Sequence, residues 1–259
     1  MVNPSLIVKL ERIGGRAWPG RVEQRLGEWI LRAADGITRR ANSVLPLGDP
    51  GVARLENAIQ RVTRFYHEQK LPPRFQLTIA SQPPSLEDAL TALGYKEETR
   101  VIVQVASTQS RNAVKQGSEV VVTSTPHQDW FAAYAQAEGY DQTSLAVRRS
   151  IMGLVRQPKT YAAALVNGST VGVGFGVLDQ GWLGIFAIAT LERYRRQGIA
   201  TAVTNALRQW ALSKGIHRAY LQVSHDNEPA KQLYAGLGFR DCYVYWCVTG
   251  EAPAADRLQ

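Results

Sequence analysis

The chain has 259 residues, of which 45% are hydrophobic and 20% are charged. This composition excludes a disordered or collagen-like chain, and the length allows one large domain or two modest ones, each with a core of its own. The formal net charge of +8 suits an anionic partner, but the basic residues are spread over both halves. A diffuse excess of this kind argues against a nucleic-acid-binding protein, which would concentrate its charge in a stripe.

The two cysteines, Cys242 and Cys247, are too few for a disulfide framework. We expect reduced thiols on opposite faces of one strand, as is usual in the cytosol. No apolar run approaches the roughly 18 residues of a membrane span. Because Met1–Leu10 lacks a basic segment followed by an apolar core, no signal peptide is expected either. The sequence therefore predicts a cytoplasmic protein with no membrane association.

The two halves of the chain are related by an internal repeat. A shift of 144 positions places Arg74–Ile79 on Arg218–Val223, and Leu93–Tyr95 on Leu237–Phe239, without a gap. Few residues are identical, but the apolar pattern and the glycines coincide. The repeat predicts a first domain at 1–107, a polar linker at 108–117, a second domain at 118–250 and a flexible tail at 251–259.

Apolar periodicity and turn residues predict the same succession of elements in both halves. In the first half we expect strands at Glu28–Ala34 and Thr38–Leu45, a helix carrying Leu55 to Phe65, a strand at Phe75–Ala80, a helix at Leu86–Leu93 and a strand at Thr99–Ala106. In the second half we expect a strand at Glu119–Thr123, a helix at His127–Glu138, strands near Tyr161–Val177 and at Trp182–Thr190, a helix at Gln197–Lys214, a strand at Tyr220–Val223, a helix capped by Asp226 or Asn227 and ended by Gly238, and a strand at Phe239–Val248.

The segment Tyr194–Thr201 is the most informative for chemistry, because it follows an apolar strand and opens a helix. A helix start presents free backbone N–H groups and the positive end of the helix dipole, which together form an anion site. Gly198 removes a side chain where an anion would approach, and Arg195 and Arg196 add charge-assisted contacts. The expected ligand is a pyrophosphate or a similar group.

This loop resembles that of the GNAT superfamily of N-acetyltransferases, in which Arg or Gln, Gly, and Gly or Ala recur at the spacing of Arg195, Gly198 and Ala200. A second GNAT-like motif follows in the right order, with Val223, Asn227, Ala230, Tyr234 and the pair Gly238-Phe239. The resemblance is good over about 160–248. It implies an α/β (α+β) protein with two GNAT-like acyl-CoA N-acyltransferase folds in tandem, each a mixed twisted sheet flanked by helices.

The resemblance also implies roles for individual residues. Acetyl-CoA would be the co-substrate, no metal would be needed, and Tyr234 would be the catalytic acid that protonates the leaving thiolate. The expected cofactor-binding residues are Ile188, Ala189, Thr190, Arg195, Arg196, Gln197, Gly198, Ile199, Ala200, Thr201, Asn227, Ala230 and Tyr234. Relatives line the acceptor site with the first helices of the fold, where Trp130 and Tyr134 lie, although core packing is the simpler interpretation of both.

The general base stays open, because the strand Leu183–Thr190 carries no carboxylate; the candidates are Glu138, Asp141, Glu192 and His225, or a water chain. In the first half, the repeat places Gly51, Arg54 and Glu56 at the positions of Arg195, Gly198 and Ala200. Arg54 and Glu56 would crowd a pyrophosphate and Glu56 would repel it, so only the second half is expected to bind coenzyme A.

The resulting hypothesis is an N-acetyltransferase that acetylates a primary amine of a small molecule or a peptide. A non-catalytic CoA-binding or regulatory protein is the first alternative, and a nucleic-acid-binding protein is a weaker one. The acceptor, the acyl chain length and the oligomeric state, including a homodimer, stay open.

Overall fold

The computed structural model describes residues 2–109 and 119–253, so most of the predicted linker and tail lie outside the described residues. The chain divides into two compact units. The first comprises Met1–Val101, Ser150–Leu154 and Tyr243–Gln259, and the second Ile102–Arg149 and Val155–Cys242. No helix in the described part is long and apolar enough to cross a membrane.

The first unit begins with helix α1 (Pro4–Ala17), whose N-cap Asn3 accepts a hydrogen bond from the backbone N–H of Ser5. Strands β1 (Val22–Leu26), β2 (Trp29–Ala33) and β3 (Leu45–Pro46) then form a small antiparallel sheet. Helix α2 (Leu55–Glu68), strand β4 (Arg74–Leu77) and helix α3 (Leu86–Ala92) follow. The core packs residues of α2 and α3 against Trp29 and Phe75, whose rings meet edge to face.

The predicted strand at Thr38–Leu45 was wrong over most of its length, because only Leu45–Pro46 is a strand. The cause is the buried side chain of Asn42, which bonds to the backbone of the preceding loop: it accepts from the N–H groups of Ala34 and Gly36 and donates to the carbonyl of Thr38. Asparagine favours such turns by replacing backbone partners with its own amide.

The second unit contains the end of β5 (Lys96–Ser107), then β6 (Glu119–Thr123), helices α4 (Trp130–Glu138) and α5 (Gln142–Leu154, up to Arg149), and strands β7 (Lys159–Val166), β8 (Ser169–Asp179) and β9 (Trp182–Thr190). A short 3-10 turn at Glu192–Tyr194 leads to α6 (Ile199–Ser213), β10 (Arg218–Ser224), α7 (Glu228–Gly236) and the start of β11 (Arg240–Thr249). Instead of the one strand predicted near Tyr161–Val177, β7 and β8 form an antiparallel hairpin.

The strand order in the second unit is β5-β10-β9-β8-β7-β6. Strands β6 to β9 are antiparallel neighbours, and β10 runs parallel to β9. The aromatic residues of α4 are core: Trp130 is fully buried and donates from its indole N–H to the carbonyl of Ala162, and Tyr134 is 5% exposed. The packing interpretation of both side chains is therefore confirmed.

Helix α6 lies unusually close to the sheet because three alternate residues of β8 are glycines. A Cβ atom on Gly172 would collide with Ile199, one on Gly174 would come within 2.6 Å of Val203, and one on Gly176 within 3.1 Å of Leu207. Each glycine thus faces one turn of the helix. Alternation along a strand puts such residues on one face, so the stripe fixes where α6 lies.

Element starts in the two halves recur at the spacing of the sequence repeat. Helices α2 and α6 begin at Leu55 and Ile199, and strands β4 and β10 at Arg74 and Arg218. The last strands, however, change places. In the first unit, Arg74–Leu77 of β4 pair with Trp246–Thr249 of β11. In the second unit, the strand beside β10 is β5. Each unit is thus completed by the final strand of the other half of the sequence.

A fully buried polar network holds α1 in the first unit. The guanidinium of Arg32 donates to Ser43 Oγ (2.9 Å) and to Gln76 Oε1 (3.3 Å), and Gln76 Nε2 donates to Glu11 Oε2 (2.5 Å). The hydroxyl of Tyr243 donates to the other Glu11 oxygen at 2.6 Å. Burial raises the pKa of Glu11, while the Tyr243 hydrogen bond and the charge of Arg32 oppose that rise.

Glu11→Ala is predicted to lower the free energy of unfolding by about 3–5 kcal/mol, because it leaves the Arg32 charge and two donors buried without their acceptor. Urea unfolding at pH 7 measures the effect. Glu97→Ala is the matched control: Glu97 pairs with Arg100 on an exposed strand, and its loss should cost about 1 kcal/mol or less. Equal effects of the two substitutions would contradict the prediction.

Candidate active site

A cleft of about 770 Å³ opens in the second unit where β9 ends and where α6 and α7 begin. It is lined by three groups of residues, from the end of β9, from the loop and first turn of α6, and from α7, together with one acidic residue of α4. They are Ile188, Ala189, Thr190, Tyr194, Arg195, Arg196, Gly198, Ile199, Ala200, Thr201, Asn227, Pro229, Ala230, Gln232, Leu233, Tyr234 and Glu138. Sequence reasoning had predicted most of this set from two motifs.

Strands β9 and β10 separate at the cleft. Their parallel ladder pairs Trp182–Ile185 with Arg218–Leu221 and ends there, so the last residues of β9 have no partner on β10. A β-bulge occurs at the same place. Phe186 and Ala189 of β9 lie opposite Phe175 and Val173 of β8, so β9 has one residue more than β8 over this stretch, and Ala187 has a positive φ of 51°. Bulges bend a strand and end its pairing. The splay expected at Ile188–Thr190 is therefore present.

The start of α6 has a backbone geometry that favours an anion. Gly198 is the N-cap with φ of +84°, a left-handed conformation that glycine adopts without cost, and a Cβ built on it would meet only open space. The first backbone bond of the helix is Ala202 N–H to the Gly198 carbonyl. The N–H groups of Ile199 to Thr201 therefore have no carbonyl one turn earlier, and with the helix dipole they favour an anion.

The three loop residues before Gly198 make different contacts. Arg195 donates to the carbonyls of Thr190 (3.3 Å) and Ala137 (3.1 Å), so its guanidinium fixes the loop to β9 and α4. Arg196 is exposed, and in the described part of the chain it has no ion-pair partner, which leaves its charge for a ligand. Gln197 is the one predicted residue outside the lining, because its side-chain amide donates to the carbonyl of Arg193.

Helix α7 supplies the opposite wall. Asn227 is its N-cap, and the Asn227 side chain accepts a hydrogen bond from the Ala230 N–H at 3.1 Å. The same residue also lines the cleft. Tyr234, two turns further on, is 9% exposed, and its ring meets Phe239 edge to face. Burial, with a smaller contribution from the Glu138 charge, raises the pKa of Tyr234 to about 12. The hydroxyl therefore holds its proton at neutral pH.

Of the four side chains that were candidates for the general base, three lie outside the cleft. Asp141 caps α5 by accepting from the Ser144 N–H, and His225 pairs with Asp226 on the surface. Glu192 lies on a separate shallow surface beside Arg193. Only Glu138, at the end of α4, lines the main cleft, and the Tyr140 hydroxyl donates to its Oε2 at 3.4 Å.

Four residues that line the cleft were not among the predicted site residues. Tyr194 and Pro229 line it beside predicted residues, and Gln232 and Leu233 occupy the α7 turn between Ala230 and Tyr234. Helical spacing from Ala230 could have indicated the last two. Within residues 2–109 and 119–253, no group of three or more His, Cys, Asp or Glu side chains is placed to hold a metal.

The corresponding helix start in the first half is built differently. The N-cap of α2 is Arg54, in an extended conformation without a left-handed turn, and Glu56 lies in the first helical turn. The Glu56 carboxylate thus supplies the negative charge that this helix end favours. A ligand phosphate would meet like charge there.

Known proteins resemble the chain over nearly its whole length. Residues 4–248 match the family described as "Probable histone acetyltransferase Rv0428c C-terminal". An uncharacterized N-acetyltransferase of Bacillus subtilis, YobR, is 30% identical over 238 residues, which cover 90% of this chain and 94% of that protein. The probable histone acetyltransferase Rv0428c of Mycobacterium tuberculosis is 25% identical over 240 residues, 92% of this chain and 72% of that protein.

Two solved structures share the fold. A GCN5-related N-acetyltransferase from Kribbella flavida superposes with a TM-score of 0.71 at 17% identity, covering 99% of this chain and 98% of that one. A tandem GNAT protein from the clavulanic acid biosynthesis pathway gives 0.67 at 12% identity, with 95% and 89% covered. At these identities the likeness shows the fold alone. The family match and the Bacillus relative go further: this chain belongs to the family of the Rv0428c C-terminal region and is an acetyltransferase of the GNAT family.

Proposed function

We propose that the protein transfers an acetyl group from acetyl-CoA directly to a primary amine, and that the cleft of the second unit is the active site. The observation that carries this proposal is the conjunction of the β9–β10 splay with the open α6 N-terminus in one cleft that also contains Tyr234 and Glu138. The residues fit the co-substrate by the chemistry of their donors.

The pyrophosphate of acetyl-CoA would lie on the amides of Ile199–Thr201, beside the charge of Arg196. The pantetheine arm carries amide groups, which would pair with the free edge of β9 at Ile188–Thr190. Backbone N–H groups there would also stabilise the negative charge that develops on the thioester oxygen. Positive φ at both Arg196 and Gly198 turns the loop so that it enters the helix beside this edge.

Two side chains are proposed to move the protons. A protonated amine is not a nucleophile, so Glu138 would accept its proton before the nitrogen attacks the thioester carbon. The carbon–nitrogen bond then forms, the carbon–sulfur bond breaks, and the thiolate takes the proton of Tyr234. The second proton that the nitrogen loses as the amide forms returns to the Tyr234 oxygen, so the tyrosine ends the cycle protonated. The raised pKa of Tyr234 keeps that proton available, and the Glu138 charge contributes to the rise.

The acceptor is proposed to be a cationic amine, since Glu138 is the one acidic side chain in the lining of the cleft as described. The name of the Mycobacterium relative refers to histones, whose lysines are such amines. An acceptor panel should therefore contain lysine-rich peptides, peptides with free N-termini, polyamines, amino acids and aminoglycosides.

We further propose that the halves are tandem copies of one fold and that the first is degenerate. The recurrence of element starts at the repeat spacing and the likeness to a tandem GNAT structure support this proposal. The Arg54 cap and Glu56 in the first turn of α2 support a single co-substrate site, in the second half.

Acetyl-CoA at about 100 times its dissociation constant should add about 2.7 kcal/mol of stability, a rise of roughly 5–10 °C in the unfolding midpoint. Gly198→Ala should abolish the rise, because alanine resists the left-handed φ and puts a methyl group into the cleft. Gly215→Ala is the matched control: Gly215 has φ of +73° and open space around it at the other end of α6. Both variants should lose about 1 kcal/mol without ligand, but Gly215→Ala should keep the full shift.

A wild type that is not stabilised by acetyl-CoA would overturn the proposal. Stabilisation without release of CoA for any amine in the panel would instead favour the alternative of a non-catalytic CoA-binding protein. The thermal shift and a thiol assay for free CoA distinguish these results with the same protein samples.

Tyr234→Phe should lower kcat about 100-fold or more while leaving the acetyl-CoA thermal shift unchanged, because only the proton donor is lost. A donor acts below its pKa, and that of Tyr234 is raised from 10.0 to about 12. The wild-type rate should therefore not decline through pH 10, where an ordinary tyrosine loses its proton. A decline centred at pH 10, or an unchanged kcat in the variant, would exclude this role.

Glu138→Gln should lower kcat/KM at pH 7 about 100-fold, and the deficit should shrink at pH 10, where more of the amine is already neutral. Glu192→Gln removes an exposed carboxylate outside the cleft and is the control. A deficit that is constant between the two pH values would show that Glu138 has a structural role and does not accept the proton.

A further inference from the structure

A second cleft, of about 640 Å³, lies in the second unit at the far ends of the helices that form the active site. Helix α6 contributes Gly198–Thr201 to the first cleft and Arg208, further along the helix, to the second. Helix α7 likewise passes from Asn227–Tyr234 in the first to Ala235–Leu237 in the second. None of the residues lining one cleft lines the other.

The lining of this second cleft is basic. It contains Arg208, His217, Arg218 and Arg240, and among the described residues that line it there is no aspartate or glutamate. His217, Arg218 and Arg240 are exposed at its mouth. In the part of the chain that the structure describes, neither Arg218 nor Arg240 has a carboxylate within ion-pair distance. The chain thus holds several cations in one concavity without their counter-charge.

Arg208 makes this imbalance costly, because the side chain is only 3% exposed. Its terminal nitrogens donate to the carbonyls of Leu237 (3.0 Å), Ser107 (2.6 Å) and Gln109 (2.9 Å), all neutral groups. Its Nε has no hydrogen-bond partner among the described residues. Burial lowers the pKa of Arg208, and no acidic group acts against that effect. A buried cation without an anion is unfavourable unless one binds nearby.

Trp182 forms the other wall and prepares Arg218 for a ligand. The Arg218 guanidinium lies 4.8 Å from the centre of the indole ring, a cation–π contact that restrains the side chain at the mouth of the cleft. The buried indole N–H of Trp182 also lacks an acceptor within the described chain. Two unsatisfied buried donors therefore belong to residues of one basic cleft, which is rare in native proteins.

We propose that this second cleft binds a small polyanion with phosphate or carboxylate groups, at a site distinct from the acetyl-CoA cleft. Arg218 and Arg240 contact the ligand, and the buried charge of Arg208 adds attraction from behind. The site takes small molecules because it is a concavity bounded by helix ends, and it needs no part of the acetyl-transfer reaction. The inference therefore stands independently of the proposed function.

The test is isothermal titration of the full chain with pyrophosphate and, separately, with citrate, at constant ionic strength and with acetyl-CoA at saturation. Acetyl-CoA occupies the first cleft, whose helix N-terminus would otherwise compete for the anions. The proposal expects one saturable site for at least one probe, and the two probes distinguish a phosphate ligand from a carboxylate ligand. Repeating the titration with Arg196→Gln, without acetyl-CoA, keeps the test valid should acetyl-CoA fail to bind.

The double variant Arg218→Gln/Arg240→Gln should bind the anion about 100-fold more weakly, since each lost charge-assisted bond is worth about tenfold. Both side chains are exposed, so the fold should persist, and the acetyl-CoA thermal shift reports whether it does. The control Arg61→Gln/Arg64→Gln removes the same charge from the exposed face of α2 and should bind normally. Binding should also change the indole fluorescence of the wild type but not of Trp182→Phe.

Three results would overturn the proposal. The first is the absence of saturable binding of either anion. The second is binding that acetyl-CoA abolishes, which would place the anion in the first cleft. The third is equal weakening in the double variant and in the control, which would show an effect of net charge and not of a site.

Discussion

The close approach of α6 to the sheet is the constraint on which the second unit depends. Gly172, Gly174 and Gly176 leave room for Ile199, Val203 and Leu207, and any side chain on these glycines would push the helix outward. The helix carries Gly198 at its start, so the depth of its packing decides how far the amides of its first turn lie from the free edge of β9. A packing contact between apolar atoms thereby sets the geometry of a polar site.

Helix α6 has solvent-accessible positive charge at its N-terminus and buried positive charge further along, at Arg208. At the N-terminus the positive potential comes from backbone amides and the mobile charge of an exposed arginine, which a large ligand can reach. Further along, the buried Arg208 donates to three carbonyls, one of them that of Leu237 at the C-terminal end of α7. The two clefts therefore differ in whether the positive charge that α6 contributes is exposed or buried.

Much of the second half could be predicted because its signals are local. The loop at Tyr194–Thr201, the cap at Asn227 and the two motifs act through neighbours in sequence, and the cleft contains all but one of the predicted residues. Helix α1 was not predicted, although Asn3 and Pro4 are residues typical of a helix start. The other features depend on tertiary contacts, which the sequence pattern does not reveal. The Asn42 side chain turns an apolar run into a loop, and the bulge at Ala187 and the exchange of last strands depend on pairing between distant segments.

That exchange of strands has a consequence for the order in which the chain can fold during synthesis. The second unit takes β5 from residues that have already left the ribosome, whereas the first unit must wait for β11, close to the end of the sequence. Until then β4 presents an unpaired edge, which invites pairing with other chains. The nascent first half is thus the stage at which chaperones would be needed, and a ribosome stalled after residue 109 would hold a half that lacks its last strand.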